Sequence, residues 1–172
     1  TIADKGGDFR NVTFDDCTIT NIVLLCDLRK TVETPTVNVN NCTFCYAPIE
    51  TTANANTPLF RFASNAANLN ITNSIFGPSM ATDGSAGAKL QLYTPGVKGS
   101  VLLNGESTVL SVAGSYKTNF AYTPIGAEAK TYGIEGLIDF KGSETELWTA
   151  PANGEFKFNA SLDSEAGASK WK

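Results

Sequence analysis

Three stretches of the chain alternate apolar and polar residues with period two, then break the alternation in the same way. They are NVTFDDCTI at 11–19, VNVNNCTF at 37–44 and LNITNSIF at 69–76. Val12, Val37 and Leu69 share the first apolar slot, and Phe14, Val39 and Ile71 share the next. Asp16, Asn41 and Asn73 follow, then Cys17, Cys42 and Ser74, then Ile19, Phe44 and Phe76. Alternation of this kind predicts strands with one buried face. The Val, Ile, Thr and Phe content agrees, because a helix would have to absorb many β-branched residues and asparagines. No stretch carries a 3.6-residue apolar stripe of useful length.

Val12 to Val37 is 25 residues and Val37 to Leu69 is 32, spacings typical of stacked repeats. A second apolar strand precedes each repeat: VLLCDLRK at 23–30, TPLFRF at 57–62 and AKLQLY at 88–93. Arg29 to Asn41 and Arg61 to Asn73 are each 12 residues, so one arc of the repeat has constant length. The other arc takes the insertions, with TTANANT at 51–57 and GPSMATDGSAGA at 77–88 reading as loops. A constant arc, a variable arc and a recurrent Asn predict an all-β, single-domain parallel β-helix of about four rungs over 1–112. Asp16, Asn41 and Asn73 form its corner column, since Asn tolerates the left-handed backbone of a sharp corner. Stacked amides there would pass hydrogen bonds from rung to rung. A β-sandwich would not repeat side chains slot by slot.

Past residue 100 the pattern blurs. Val101 and Leu103 are expected to continue the inward column, with Gly105 at the corner. Residues 113–172 read as an irregular C-terminal cap. Within it GLIDF at 136–140 is a strand, Ser143 to Glu146 a capping box opening a helical turn, PANG a turn and EFKF a short strand. Its aromatics, Trp148, Phe156 and Trp171 among them, are expected to plug the open end of the stack, because a solenoid exposes an apolar cross-section at each end. The chain begins TIADKGGDFR, partway through a rung, as an excised or mature segment would.

Composition narrows the chemistry. The 172 residues carry a net charge of −4 and no histidine. Nucleic acid is disfavoured as a partner, and His-dependent catalysis and His-ligated metal are excluded. No apolar run is long enough to span a membrane. Cys42 and Cys45 form a C-x-x-C pair without the second pair that zinc would need. Cys17 and Cys42 read as small buried hydrophobes. The spacing leaves a Cys26–Cys45 disulfide open. Neither a metal nor a cofactor is expected.

The candidate ligand site is an outward row on the preceding strands, formed by Arg29, Arg61 and Gln91. Two guanidinium forks and an amide suit sugar carboxylates or hydroxyls. Tyr93 is a candidate stacking platform for a sugar ring. The acidic residues are scattered. Asp15 and Asp16 are adjacent and face opposite sides, so no converging carboxylate pair or Ca²⁺ cluster is evident and no catalytic residue is assigned.

The inward-alternating strand, the Asn corner and the second strand with loops on one side resemble the right-handed, pectin-lyase-like β-helix. The ending LIDFKGSETELWTAPANGEFKFNASLDSEAGASKWK at 137–172 resembles an uncharacterised C-terminal domain family of cell-surface lipoproteins from Bacteroides-type glycan-utilisation loci. The shared pattern falls on Leu147, Trp148, Pro151, Ala152, Asn153, Gly154, Glu155, Phe156 and Trp171. Ala168-Ser169-Lys170-Trp171 departs from the Gly-Asp-Pro-Arg-Trp-like ending of that family. The resemblance implies export to the cell surface or anchoring at the outer membrane. It also implies association with other glycan-uptake proteins, and carries no established activity. The expectation is a non-catalytic module that binds a poly- or oligosaccharide or serves as a scaffold. The alternative is the C-terminal part of a polysaccharide lyase or glycoside hydrolase with its catalytic residues upstream.

Overall fold

The computed structural model describes residues 2–3, 9–22, 24–28, 35–47, 49–50, 59–62, 67–77, 80–81, 108–118 and 136–172. Successive passes of the chain lay down strands in the same order. The first pass gives β1 (Ile2–Ala3), β2 (Asn11–Asp15) and β3 (Thr18–Thr20). The second gives β4 (Cys26–Leu28), β5 (Thr36–Asn40), β6 (Thr43–Cys45) and β7 (Ile49–Glu50). The third gives β8 (Phe60–Phe62), β9 (Ala67–Thr72), β10 (Ile75–Phe76) and β11 (Met80–Ala81). Later passes add β12 (Thr108–Ala113), β13 (Tyr116–Lys117) and β14 (Ile138–Asp139).

Like strands stack in parallel into four sheets: β1-β4-β8, β2-β5-β9-β12, β3-β6-β10-β13-β14, and β7-β11. The protein is strand-rich, with parallel sheets and a single short α-helix among the described residues. The slots read from the sequence are the registers observed. Val12 lies beside Val37 and Val37 beside Leu69, while Phe14, Val39 and Ile71 form the next row. The second strand stacks Ile19, Phe44 and Phe76. The Phe44 and Phe76 rings are 4.5 Å apart and 7° from parallel, a pair worth about 0.5–1.5 kcal/mol beyond its area. These rows, with Cys26, Leu28 and Phe60 from the first sheet, form one buried cluster between the sheets. Burying each aliphatic side chain contributes about 1.5–3 kcal/mol.

Asp16, Asn41 and Asn73 all turn the corner with positive φ, at 52°, 51° and 46°. The bonds that join one corner residue's pass to the next come chiefly from the backbone. Asp16 N donates to Asn40 O, Asn41 N to Thr72 O and Asn73 N to Ala113 O, at 2.9–3.0 Å. The corner column continues at Gly114 (φ 55°) and Gly136 (φ 88°). Val101, Leu103 and Gly105, expected to continue the column, lie outside the described residues; Leu110, Val112 and Gly114 hold the positions beside Leu69, Ile71 and Asn73. The Asn73 Oδ1 occupies the space a Cβ at Gly114 would need, 2.4 Å away.

Three further expectations change. Residues 77–88 are not only an inserted loop, because Met80–Ala81 pairs in parallel with Ile49–Glu50. The boundary at 112/113 falls inside β12, and parallel pairing continues through β13 and β14. The segment from Phe140 onward does not plug an end of the stack; it covers the flank of the third sheet. There α1 (Glu144–Leu147) leads into β15 (Trp148–Ala150), which pairs antiparallel with β16 (Glu155–Phe158). Ser143 N caps α1 by donating to the Glu146 carboxylate at 2.6 Å. PANG is a 3-10 turn closed by Gly154 at φ 80°. Trp148 is fully buried against Gly77 and packs edge-on to Phe156, which packs edge-on to Trp171. A second buried cluster results, in which Cys45, Ile75 and Tyr116 from the outer face of the third sheet meet Leu147, Trp148 and Phe156.

The last residues cross the passes from late to early. Ser164 Oγ donates to Gly114 O, Gly167 N to Asn73 O, Ala168 N to Thr43 Oγ1, and Trp171 Nε1 to Thr18 Oγ1. A strap perpendicular to the strands thus fastens four passes together.

Candidate functional site

The inward residues of β2, β5 and β9 are apolar because they face the core, so the intervening residues must face outward, and β12 continues their register. They form rows. One row is Asn11, Thr36, Asn68 and Val109; the next is Thr13, Asn38, Asn70 and Ser111; the third is Asp15, Asn40, Thr72 and Ala113. Where described, these side chains are exposed or half-buried. Parallel register spaces them at about 4.8 Å between strands and about 6.6 Å along them. The amides bond in one direction. Asn70 Nδ2 donates to Asn38 Oδ1 (2.9 Å), Asn38 Nδ2 to Thr13 Oγ1 (3.2 Å), and Asn68 Nδ2 to Thr36 Oγ1 (3.2 Å). The asparagine ladder expected at the corner is thus found on the outer face of this sheet. Asn41 reaches the same face, donating to Asp15 Oδ1 at 3.3 Å.

Such bonds do two things. Each contributes about 1 kcal/mol, and together they hold the amides in fixed rotamers. Each amide or hydroxyl keeps further donor or acceptor capacity directed outward. Across β2, β5 and β9 the face is a preorganised grid of hydrogen-bonding groups, and on β12 Val109 and Ala113 end two of its rows. Its described rows hold one carboxylate, Asp15, and no lysine or arginine.

The arginine row read from the sequence does not align as expected. The Cα register sets Asp27, in place of the expected arginine, beside Arg61, and Leu28 beside Phe62. The reason is arc length. Leu28 to Thr36 is eight residues, whereas Phe62 to Asn68, the residue beside Thr36, is six. The arc is not constant. Arg29, Gln91 and Tyr93 lie outside the described residues. Asp16, Asn41 and Asn73 are the corner column, as expected.

Away from the face, the carboxylates of Asp16, Asp139, Glu146 and Glu165 are engaged in structure. The Asp16 carboxylate accepts from Ser169 Oγ and Ser169 N, each at 2.5 Å. These two bonds, helped by Lys172 and Lys170, hold its pKa below the usual value. The cap at Ser143 does the same to Glu146, through its N–H first and its hydroxyl second. Glu146 lines a cleft with Thr118, Asp139, Phe140, Lys141, Gly142 and Ser143. Asp139 there is 3.3 Å from Lys117 and 3.7 Å from Lys141. A glycosidase acid needs a raised pKa, and the cap drives Glu146 the other way.

None of the four cysteines is disulfide-bonded. Cys26 belongs to the inner cluster and Cys45 to the outer one. The third sheet separates them, which removes the Cys26–Cys45 pairing. The C-x-x-C pair is divided in the same way, with Cys42 inside and Cys45 outside. Burial pushes the Cys42 and Cys45 thiols up to about 12. Among the described residues no group of three or more His, Cys, Asp or Glu gathers to hold a metal. No helix among them is long and apolar enough to cross a membrane.

Comparison with family models, curated proteins and solved structures returns no match.

The outer grid was present in the sequence as the polar letters of the repeat itself, in VTF, VNV and LNI.

Proposed function

We propose that this chain is a non-catalytic glycan-binding module of an exported cell-surface protein, and that its ligand is a neutral polysaccharide. On this reading the parallel passes wind as a right-handed, pectin-lyase-like β-helix, the hand that parallel crossovers of L-residues favour. The resemblance of 137–171 to surface lipoproteins of glycan-utilisation loci supplies the cellular setting, with other glycan-uptake proteins as neighbours.

The observation that carries the reading is the outer face of β2-β5-β9-β12. A repetitive polymer of hydroxyls needs a rigid repeating surface of donors and acceptors, and the Asn/Thr rows supply one at constant spacing. Because the rows lack basic side chains and include Asp15, an acidic polymer gains nothing there and a neutral one avoids repulsion. The structural engagement of Asp16 and Glu146 supports binding over hydrolysis.

The test is an array of neutral and acidic polysaccharides probed with the whole chain. Binding confined to neutral glycans, and persisting in added salt, is the expected result. Retention only on uronic-acid polymers, with loss in salt, contradicts the reading.

A further inference from the structure

Cys17 and Cys42 occupy one slot on adjacent passes, between the corner pair Asp16/Asn41 and the in-register pair Thr18/Thr43. Thr43 N donates to Cys17 O at 2.8 Å, which fixes the two backbones as immediate neighbours. Parallel neighbours lie about 4.8 Å apart, inside the Cα separation of about 4.4–6.8 Å that a disulfide requires. The side chains also point alike. Cys17 Sγ donates to Asp15 O at 3.2 Å, and Cys42 Sγ to Asn40 O at 3.1 Å, each two residues back. Cys42 Sγ leans further toward the first pass, 3.5 Å from Phe14 O.

The later passes show what this slot does when it holds serine. Ser74 Oγ donates to Thr72 O and accepts from Cys42 N, and Ser115 Oγ donates to Ala113 O and accepts from Ser74 N. Serine therefore satisfies every local bond the slot needs. Cysteine adds apolar bulk against the inner cluster and the capacity for a covalent bond, and it stands in two consecutive passes. Cys17 is half-exposed at the first pass, while Cys42 is buried behind it. A reagent reaches one sulfur and the fold presents the other.

We infer that Cys17 and Cys42 are a thiol pair that closes to a cross-pass disulfide under oxidation by a small-molecule disulfide. The Cys17 thiolate attacks one sulfur of the oxidant, and one thiolate of the oxidant leaves. The Cys42 thiol then loses its proton to solvent, attacks the Cys17 sulfur of the mixed disulfide, and expels the second thiolate. Two protein thiols lose two electrons and two protons, and the oxidant is reduced to two thiols. The product staples the first pass to the second at the corner. The inference is independent of glycan binding.

The experiment is incubation of the whole chain with excess glutathione disulfide, alkylation of remaining thiols, and peptide mapping by mass spectrometry. The expected product is a linked peptide pair joining Cys17 to Cys42, with two hydrogens lost and Cys26 and Cys45 alkylated. The melting temperature rises by about 5–10 °C, reversed by dithiothreitol. Cys42→Ser keeps the slot's hydrogen bonds, as Ser74 and Ser115 do, and is expected to stop at a stable glutathione adduct on Cys17. In the unaltered chain, a lasting adduct on Cys17, a link through Cys26 or Cys45, or four unreacted thiols would each overturn the inference.

Discussion

Ser169 closes on Asp16 across 153 residues of chain, its backbone N–H and its hydroxyl each donating to the carboxylate at 2.5 Å. The contact ties the end of the strap to the first corner. Trp171, bonded to Thr18 at 2.8 Å, holds the same pass two residues further along. Because these donors favour the ionised form, the folded pKa of Asp16 lies below its unfolded value.

The sign of the pH effect follows. A depressed carboxylate contributes stability that is complete above the unfolded pKa of about 3.9. That contribution is lost as the pH falls through the folded pKa. The strap is therefore expected to stay fastened at neutral pH and to loosen below about pH 3.9. Amide exchange at Ser169 and red-shifted Trp171 emission report the loosening. In Asp16→Ala the strap is expected to be loose at neutral pH and insensitive to acid in this range.

Gly77 makes room for the second core. A Cβ there would stand 2.9 Å from Phe44 O and 2.9 Å from the Trp148 ring. The backbone carbonyl cannot yield, so the indole must move. Gly77→Ala is expected to cost about 1–3 kcal/mol, as overpacking does. Urea unfolding measures the loss, and near-UV circular dichroism reports the displaced Trp148.

The corners separate backbone strain from side-chain contact. Asn73 sits at φ 46° and Gly114 at φ 55°. Asn73→Ala is expected to cost about 1–2 kcal/mol for a left-handed backbone with no polar side chain to support it. Asn73→Gly is expected to cost less. Gly114→Ala should be worse than either, since its Cβ meets Asn73 Oδ1 at 2.4 Å. Combining Gly114→Ala with Asn73→Gly removes that clash and should recover part of the loss, which denaturant midpoints resolve.

Much of this fold was legible in the residues. Val12, Val37 and Leu69 predicted their own register because period-two alternation leaves one face for the core. The positive φ of Asp16, Asn41 and Asn73 followed from residue type, and Ser143 with Glu146 announced α1. Three features were hidden for physical reasons. The fourth corner carries Gly114 in place of Asn, so the pattern lost its most visible letter. The register of Arg61 depends on how many residues the chain spends between first and second sheets, which alternation alone does not specify. The strap is held by contacts between residues 50 to 153 apart, such as Ser164 with Gly114 and Ser169 with Asp16, which no local pattern encodes. For the candidate site, the polar rows were written openly between the apolar letters. Their meaning depended on knowing that Asn70, Asn38 and Thr13 are spatial neighbours.

The central claim is that the amide rows, not the arginine-bearing strand, bind glycan. Isothermal titration calorimetry against a neutral polysaccharide retained on the array tests it most directly. The unaltered chain is compared with Asn38→Ala/Asn70→Ala and with Arg61→Ala. The account predicts that the double alanine variant weakens binding by at least about tenfold, as expected from losing hydrogen bonds worth about 1 kcal/mol each, while Arg61→Ala binds as the unaltered chain does. Unchanged binding by the folded double variant, or loss of binding in Arg61→Ala alone, would contradict it.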